Sequence, residues 1–359
     1  MLINKLNHYI NIGGIKMYKR WLTAFLIILS ALLIVGCSSS ESDEGNVADN
    51  SDSNKAIKVK FGHTLTEDSN WHQGALHFAD LIKDQTNGRY EVEIFPNGQI
   101  SSGNQQKAIE MLRQGSYDVD ITSALIWSDF DSDLGITALP WILPTLESAE
   151  EVIHGKGGEM LLDILNDNGV RGVAIGETGY RQMLTNKRQI ESPADLANLK
   201  IRVPGTPLFL DLYKELGADP IAMDFTEVFT SLQQGTIDGM EGVVDVMVTN
   251  RFYEVLDYMS VNNYNFDFFF FTFSNDFYDS LSDEDKEIFM EAGKESTEFA
   301  TNYAREANEE ALEFLRDELE VFEPSEKELD EFKKAASPIY EQYKDDFNPE
   351  LRKAFNYLE

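Results

Sequence analysis

Residues 57–94 read IKVKFGHTLTEDSNWHQGALHFADLIKDQTNGRYEVEI, and this stretch decides the fold class. Ile57–Phe61 and Tyr90–Ile94 alternate apolar and charged residues, which is the period of a half-buried strand. Between them, residues 71–86 place apolar side chains at helical spacing, and Asn87-Gly88 supplies residues that end a helix. A strand, a helix and a second strand in this order predict an α/β fold with a mostly parallel sheet.

The same order of elements recurs along the chain. The pattern predicts a helix at 104–114 and a strand at 119–122, then a strand at 200–203 followed by helices that begin at Thr206 and Thr226. The segments LRQGSYD (112–118) and LQQGTID (232–238) are alike, each with a Gly at a helix end and a polar lead into a strand. Two lobes built on one plan would produce this repeat. Chance similarity between two helix ends is the alternative.

The last third of the chain contains an aromatic run and a long charged segment. Phe266–Phe273 reads FDFFFFTF, which predicts a strand that is buried on both faces or that crosses between lobes. Residues 283–320 are rich in Glu, Ala and Lys and predict one long helix lying across both lobes, with shorter helices after it.

The N-terminus has the features of a bacterial lipoprotein signal. Lys19 and Arg20 precede the apolar residues 21–35, which are short for a spanning helix, and Ile34–Cys37 (IVGC) resembles a lipobox. We therefore predict that residues 1–36 are a cleaved signal peptide, with the true start at Met17, and that Cys37 is lipidated. The alternative is an uncleaved anchor with an incidental cysteine. The polar residues 37–56 are expected to form a lipidated, disordered tether.

The charge balance narrows the possible partners. The chain has 63 acidic and 30 basic residues, a formal net charge of −33. This excess of negative charge argues against binding of nucleic acid and against peripheral binding to anionic lipid. Cys37 is the only cysteine, so an intramolecular disulfide cannot form.

The motifs of common metal sites and enzymes are missing from the sequence. His63, His72 and His77 follow no compact ligand spacing. Asp129–Asp133 faintly resembles a calcium loop, but Leu134 stands where that loop needs Gly. No phosphate-binding Gly-rich loop, nucleophile elbow or HExxH motif occurs, so we expect no cofactor, no metal and no catalytic residue.

Arg181 and Arg202 are the main candidates for binding an anion. A guanidinium stays charged and presents a planar fork of donors that fits a carboxylate. Arg202 falls within the strand predicted at 200–203, and Arg181 is expected just beyond a strand at Val173–Ile175. The alternative is that both are surface or salt-bridged arginines.

Residues 57–345 resemble the extracytoplasmic solute-binding proteins of TRAP transporters, the DctP-like group. Seven short stretches, in the order of that family, carry the resemblance: Gly62-His63, Trp71–Ala79, Phe95–Ile100, Tyr180–Gln182, Leu199–Pro204, Met223–Val228 and Ile237–Glu241.

The resemblance implies a two-lobed, periplasmic-binding-protein-like α/β fold with hinge strands and a long helix spanning both lobes. We expect lobe I to comprise residues 57–178 and 268–307, and lobe II residues 179–267 and 308–359. It also implies that Arg202 pairs with a ligand carboxylate and that Arg181 assists by holding a second oxygen or a second acid group.

Four further residues are predicted to contact the ligand. The resemblance places Phe225 against it and brings in Glu241, the last residue of the Asp-Gly-x-Glu segment. His63 ends the first strand, and Trp127 follows the strand 119–122, so either side chain could reach a cleft at the strand ends or have a structural role instead.

Two positions depart from the pattern of the family. Gly242 stands where an Asn that binds ligand is common, and Gln106 replaces an Arg near the start of its helix. The contacts that select the substrate could therefore differ in this chain.

The sequence thus predicts a lipid-anchored extracytoplasmic protein that captures a small organic acid. It would deliver this acid to an ion-driven permease composed of a small and a large integral-membrane subunit. C4-dicarboxylates and sugar acids both remain open as ligands. A binding protein of an ABC importer and the sensory subunit of a membrane receptor are the alternatives, and an enzyme is a more distant one.

Overall fold

The computed structural model describes residues 55–357, which fold around one mixed β-sheet. Its strands are β1 Ile57–His63, β2 Tyr90–Phe95, β3 Val119–Ser123, β4 Val170–Thr185, β5 Lys200–Val203, β6 Asp219–Ala222, β7 Gly239–Val243, β8 Tyr258–Ser274 and β9 Glu320–Phe322. The α-helices are α1 Asn70–Gln85, α2 Gln105–Arg113, α3 Ala124–Trp127, α4 Leu146–Ile153, α5 Lys156–Asp167, α6 Pro207–Glu215, α7 Val228–Gln233, α8 Val244–Thr249, α9 Asn275–Ser280, α10 Asp283–Glu318, α11 Glu326–Tyr343 and α12 Pro349–Ala354.

The sheet has parallel flanks and an antiparallel centre. The strand order is β2-β1-β3-β8-β4-β7-β5-β6, with β9 alongside β8. β1 pairs in parallel with β2 and β3, and β5 pairs in parallel with β6 and β7. The long strands β4 and β8 run antiparallel to each other and to the flanking strands β7 and β3. The predicted α/β class is confirmed. The antiparallel pairing at the centre of the sheet was not predicted, because strand periodicity does not report strand direction.

The repeat found in the sequence is also a repeat in the structure. In one flank the backbone N–H of Lys60 donates to the Asp118 carboxylate at 2.7 Å. In the other, the backbone N–H of Lys200 donates to the Asp238 carboxylate at 3.0 Å. Each Asp returns a backbone bond to the carbonyl of the same Lys. Chance similarity of two helix ends does not explain these matching hydrogen bonds.

The two long strands run through the middle of the molecule. β4 extends from Val170 to Thr185, so Arg181 lies inside this strand and not beyond a short one at Val173–Ile175, as the sequence had suggested. Its first half pairs only with β8, whereas Arg181 to Thr185 also pair with β7. The register between β4 and β8 shifts at Gly172/Ala174, Glu177/Gly179 and Arg181/Met183. At the middle shift Gly179 has a φ of 131°, a backbone conformation that residues with a Cβ atom rarely adopt.

The long charged segment forms the helix α10, Asp283–Glu318, close to the predicted 283–320. It packs on α1 from one flank of the sheet, on β4 in the centre and on α8 from the other flank. Asn308 on this helix donates to the carbonyls of Thr178 and Ala304 at 2.7 Å and accepts from the Asp245 N–H. The helix therefore bridges both flanks of the sheet beside the middle register shift of β4.

Several elements were not predicted from the sequence, namely α3, α4, α5, α8, α9, β6 and β9. Within residues 55–357, none of the helices combines the length and apolarity needed to cross a membrane. The predicted signal peptide, the start at Met17 and the lipidated Cys37 lie outside the described residues, as does most of the tether.

Candidate functional site

A small cavity of about 50 Å³ lies at the carboxyl ends of β3, β5 and β7. This is where open α/β sheets place their ligands, because strand ends and the loops that follow converge there. The lining residues are Leu65, Trp71, Gln105, Ser123, Leu125, Ile126, Thr178, Arg181, Arg202, Pro204, Phe225, Glu241, Gly242, Val243, Val246, Met247 and Asp267.

Arg202 projects into this cavity from β5, one residue before the strand ends. Its side chain is buried, and its Nε and Nη2 donate to the carbonyl of Met223 at 3.0 and 2.8 Å. The guanidinium carbon lies 5.7 Å from the centre of the Phe225 ring, which faces it in a cation–π contact. The backbone strand, one carbonyl and one ring thus fix the direction of the guanidinium.

Arg202 has no counter-ion in the part of the chain that the structure describes. No carboxylate lies within 4.0 Å of its nitrogens, and its Nη1 makes no hydrogen bond there. Burial lowers the pKa of Arg202 to about 10, although the nearby Glu241 carboxylate acts in the opposite direction. The group is therefore still protonated at neutral pH. A buried, unpaired and charged donor is a favourable partner for an anion.

Arg181 is equally buried, but its charge is already paired. Its Nε and Nη2 form a fork with the two oxygens of Glu241 at 2.5 and 2.8 Å. Its Nη1 donates to Asp267 Oδ2 at 2.5 Å. The sequence suggested that Arg181 would bind a second oxygen or a second acid group of the ligand. In the structure, two protein carboxylates already accept the hydrogen bonds of its guanidinium.

The carboxylates beside Arg181 have further partners. Tyr264 donates its hydroxyl to Glu241 Oε2 at 2.5 Å, and Ser123 donates to Asp267 Oδ1 at 2.7 Å. Burial raises the pKa of Asp267, and the charge of Arg181 opposes that shift. Burial and the Glu241 charge raise the pKa of Tyr264 well above its usual value, so this hydroxyl remains a donor. The network is well satisfied, and it holds Arg181 in a fixed orientation.

Of the six predicted ligand contacts, the structure brings four together at the cavity. Arg181, Arg202, Phe225 and Glu241 all line it. Glu241 is fully buried and is held by Arg181 and Tyr264, so its observed contacts orient the arginine.

The other two predicted contacts, Trp127 and His63, do not line the cavity. Trp127 is fully buried in the core, with its ring 5.8 Å from that of Phe130. The buried His63 has its Nε2 3.0 Å from Nδ1 of His72. Burial lowers the pKa of His63 to about 3, with a smaller effect of His72 in the same direction. Strand ends are correctly placed by the sequence, but the side-chain directions at those ends depend on packing.

Sequence reasoning missed several lining residues, and one of them, Asp267, carries a visible signal. Asp267 is the only charged residue in the aromatic run 266–273, and a carboxylate in a buried strand needs a cationic partner. Trp71 lies in the first helix and donates its Nε1 hydrogen to Thr178 Oγ1 at 3.2 Å. Gln105 lines the cavity. Its neighbour Gln106 points elsewhere and donates its amide to the Asp129 carboxylate at a distance of 3.0 Å.

At Gly242, where the sequence departs from the family pattern, the side chain of Met247 lies against the backbone. A Cβ atom added to Gly242 would lie 2.2 Å from the terminal methyl of Met247. The thioether side chain of Met247 therefore fills the place that a side chain at 242 would take. This part of the lining is apolar in consequence.

Comparison with known proteins agrees with this geometry. The family model described as bacterial extracellular solute-binding protein, family 7 (DctP) matches residues 61–346. The chain is 29% identical over 297 residues to the C4-dicarboxylate-binding protein DctB of Bacillus subtilis (strain 168), covering 82% of this chain and 84% of that protein.

Solved structures show the same fold. The sugar acid binding protein DctPAm of Advenella mimigardefordensis, in complex with galactonate, is 30% identical, with a TM-score of 0.81 over 84% of this chain and 98% of the other. A TRAP periplasmic solute binding protein from Polaromonas sp. JS666, bound to D-erythronate, is 29% identical, with a TM-score of 0.79 over 84% of this chain and 99% of the other.

Proposed function

Because this chain belongs to the bacterial extracellular solute-binding protein family 7, whose members serve TRAP transporters, we propose that it captures a small organic acid at Arg202. It then delivers the acid to an ion-driven permease composed of a small and a large integral-membrane subunit. The family consists of binding proteins, which places the function in transport and not in catalysis.

The observation that carries this proposal is the unpaired charge of Arg202. Its guanidinium is buried, aimed by Met223 and Phe225, and without a carboxylate partner among residues 55–357. A ligand carboxylate would supply the missing counter-ion through charge-assisted hydrogen bonds. Because water is largely excluded, these bonds are stronger than the same contacts at a surface.

Relatives with known ligands share this chemistry. One is named for C4-dicarboxylates and another was solved with galactonate, and each of these ligands carries a carboxylate. We transfer only that common group to this chain.

Capture also involves the two-lobed architecture. We propose that residues 57–178 with 268–307 form one lobe and residues 179–267 with 308–359 the other, joined by the middle of β4 and β8. The middle register shift, at Glu177/Gly179, and the positive φ of Gly179 support a boundary there. Closure of the lobes would exclude water from the carboxylate, as in other hinged binding proteins.

We further propose that the mature protein is held at the outer face of the cell membrane by a lipid on Cys37. The support is the sequence Ile34–Cys37 after a short apolar segment. A polar tether up to residue 56 would give the binding domain freedom to reach its permease.

A thermal-shift screen of organic acids tests the proposed function directly. The protein is residues 38–359, with Arg202→Ala as the matched variant. A ligand at a hundred times its Kd stabilises the folded state by about 2.7 kcal/mol, which raises the melting temperature of the wild type by several degrees. Stabilisation by an acid in the wild type but not in the variant supports the proposal. A folded wild type that no carboxylate stabilises contradicts it.

A further inference from the structure

We infer that the acid bound at Arg202 carries a single carboxylate and an aliphatic body, and is neither a dicarboxylate nor a polyhydroxylated sugar acid. The inference rests on the proposed function and specifies its substrate class. Two independent features of the cavity lead to it, namely its charge balance and the chemistry of its wall.

The charges lining the cavity already cancel before a ligand enters. Arg181 and Arg202 contribute two positive charges, and Glu241 and Asp267 contribute two negative ones. Both carboxylates lie 2.5 Å from Arg181 nitrogens, which leaves Arg202 as the unpaired cation of the lining among residues 55–357. A single carboxylate can therefore be matched by a single guanidinium.

A second carboxylate on the ligand would have no such partner. It would have to compete with Glu241 and Asp267 for Arg181, and each displaced carboxylate would remain buried without its counter-ion. Burying an uncompensated charge is among the most unfavourable events in a protein interior. The site therefore selects against dicarboxylates by electrostatics.

The wall of the cavity selects against hydroxyl groups. Aliphatic side chains form most of the remaining lining, including Leu125, Ile126, Val246 and Met247. Met247 covers the position of Gly242, so no polar group projects from that residue. A polyhydroxylated ligand would bury hydroxyls against carbon, and each one left without a partner costs binding free energy.

Few polar groups remain to compensate for such hydroxyls. Ser123 already donates to Asp267, and Thr178 already accepts from Trp71. The side-chain carbonyl oxygen of Gln105 has no partner within the described part of the chain. The amide of Gln105 and the hydroxyl hydrogen of Thr178 can satisfy one or two polar substituents of the ligand, but not the four or so hydroxyls of a sugar acid.

Isothermal titration calorimetry on residues 38–359 tests the inference with three probes. These are 3-methyl-2-oxobutanoate, with one carboxylate and a branched aliphatic body; succinate, with two carboxylates; and D-galacturonate, with one carboxylate and several hydroxyls. We expect 3-methyl-2-oxobutanoate to bind about tenfold or more tightly than either of the others, the equivalent of at least one buried interaction.

Val246→Thr is the matched variant, since both side chains are β-branched and the change replaces one wall methyl with a hydroxyl. It should weaken binding of 3-methyl-2-oxobutanoate roughly fourfold, which is the effect of losing about one buried methyl contact. The difference in Kd between 3-methyl-2-oxobutanoate and D-galacturonate should become smaller as a result. Circular dichroism confirms that the variant is folded. If it is not, the ranking of the three probes in the wild type decides alone.

The outcomes separate this inference from the proposed function. Equal or tighter binding of succinate or D-galacturonate, lost in Arg202→Ala, overturns the inference and leaves the proposed function in place. Binding of none of the three probes, together with a negative screen of organic acids, overturns both.

Discussion

Arg181 and Glu241 lie diagonally across two antiparallel strands and form a buried fork, with Nε–Oε2 and Nη2–Oε1 distances of 2.5 and 2.8 Å. In the register of β4 and β7, Arg181 is opposite Val243, and Glu241 is opposite Met183. Diagonal neighbours of this kind are within reach of long side chains. Because this fork is built into the sheet, Arg181 acts first as a fixed part of the cavity wall, and Arg202 remains the group that an anion can engage.

Removal of the Arg202 side chain should abolish most of the ligand binding while the fold stays intact. A desolvated carboxylate that loses its charged partner costs about 2–5 kcal/mol, which is roughly 30-fold to several-thousand-fold in Kd. Arg202→Lys should also bind poorly, because an ammonium keeps the charge but loses the planar fork. Calorimetry with an acid found in the thermal-shift screen provides the measurement. Near-native affinity in Arg202→Ala would contradict the proposed site.

Removal of the Arg181 side chain should destabilise the protein itself. Arg181→Ala leaves Glu241 and Asp267 buried without their cation, and breaking such a pair typically costs about 3–5 kcal/mol. The free energy of unfolding from urea titration is the measurement. Arg316→Ala is the control, because its partner Glu323 is exposed and such surface pairs contribute only about 0–1 kcal/mol. A stable Arg181→Ala that only loses affinity would assign Arg181 to the ligand instead.

The lobes should close on the ligand by bending near residues 173–180 and 264–273. Small-angle scattering should show a smaller radius of gyration at saturating ligand, and an unchanged radius argues against closure.

Asn104 from one predicted lobe donates to the Asp224 carboxylate of the other at 3.1 Å, next to the lining residues Gln105 and Phe225. Asp224→Ala removes this bridge and should speed ligand dissociation several-fold, a loss of about 1 kcal/mol.

Asp245→Asn should stabilise the protein at neutral pH. Burial raises the pKa of Asp245 to about 6, from an ordinary value near 3.8. The folded state therefore holds a proton more tightly than the unfolded state, and Asp245 reduces stability as the pH rises from 4 to 6. The shift corresponds to about 1–3 kcal/mol. Urea unfolding at pH 7.5 should show this gain for Asp245→Asn, and the gain should fade towards pH 4. The helix surface variant Asp163→Asn, which removes an exposed carboxylate, should show neither effect.

Cys37 should become the lipidated N-terminus of the mature protein. The native protein would then partition into detergent, and mass spectrometry would find a diacylglyceryl group on Cys37. Cys37→Ser should block both processing and lipidation at this position. An unmodified Cys37 inside an intact leader would contradict this prediction.

The sequence by itself determined the elements whose signal is local. Strand and helix periodicities placed β1, α1, β2, α2 and β3 within one or two residues, because the alternation of buried and exposed positions depends only on near neighbours. The repeat at 112–118 and 232–238 reappears as matching hydrogen bonds of Asp118 and Asp238. The two arginines at the cavity were also identified, because a guanidinium fits a carboxylate and their segments resemble those of the DctP-like family.

Only the tertiary structure decided how these elements and side chains meet. The antiparallel pairing of β4 and β8 joins residues about ninety positions apart, which no local pattern reports. The pairing with β8 places Asp267 beside Arg181, and the pairing of β4 with β7 adds Glu241, which leaves Arg202 unpaired within the described residues. It also allows Trp127 and His63 to pack away from the cavity, although both stand at or near strand ends. Residue type and strand position follow from the sequence, but the partner of a buried charge depends on the whole fold, because only the assembled sheet sets which side chains lie within hydrogen-bond distance.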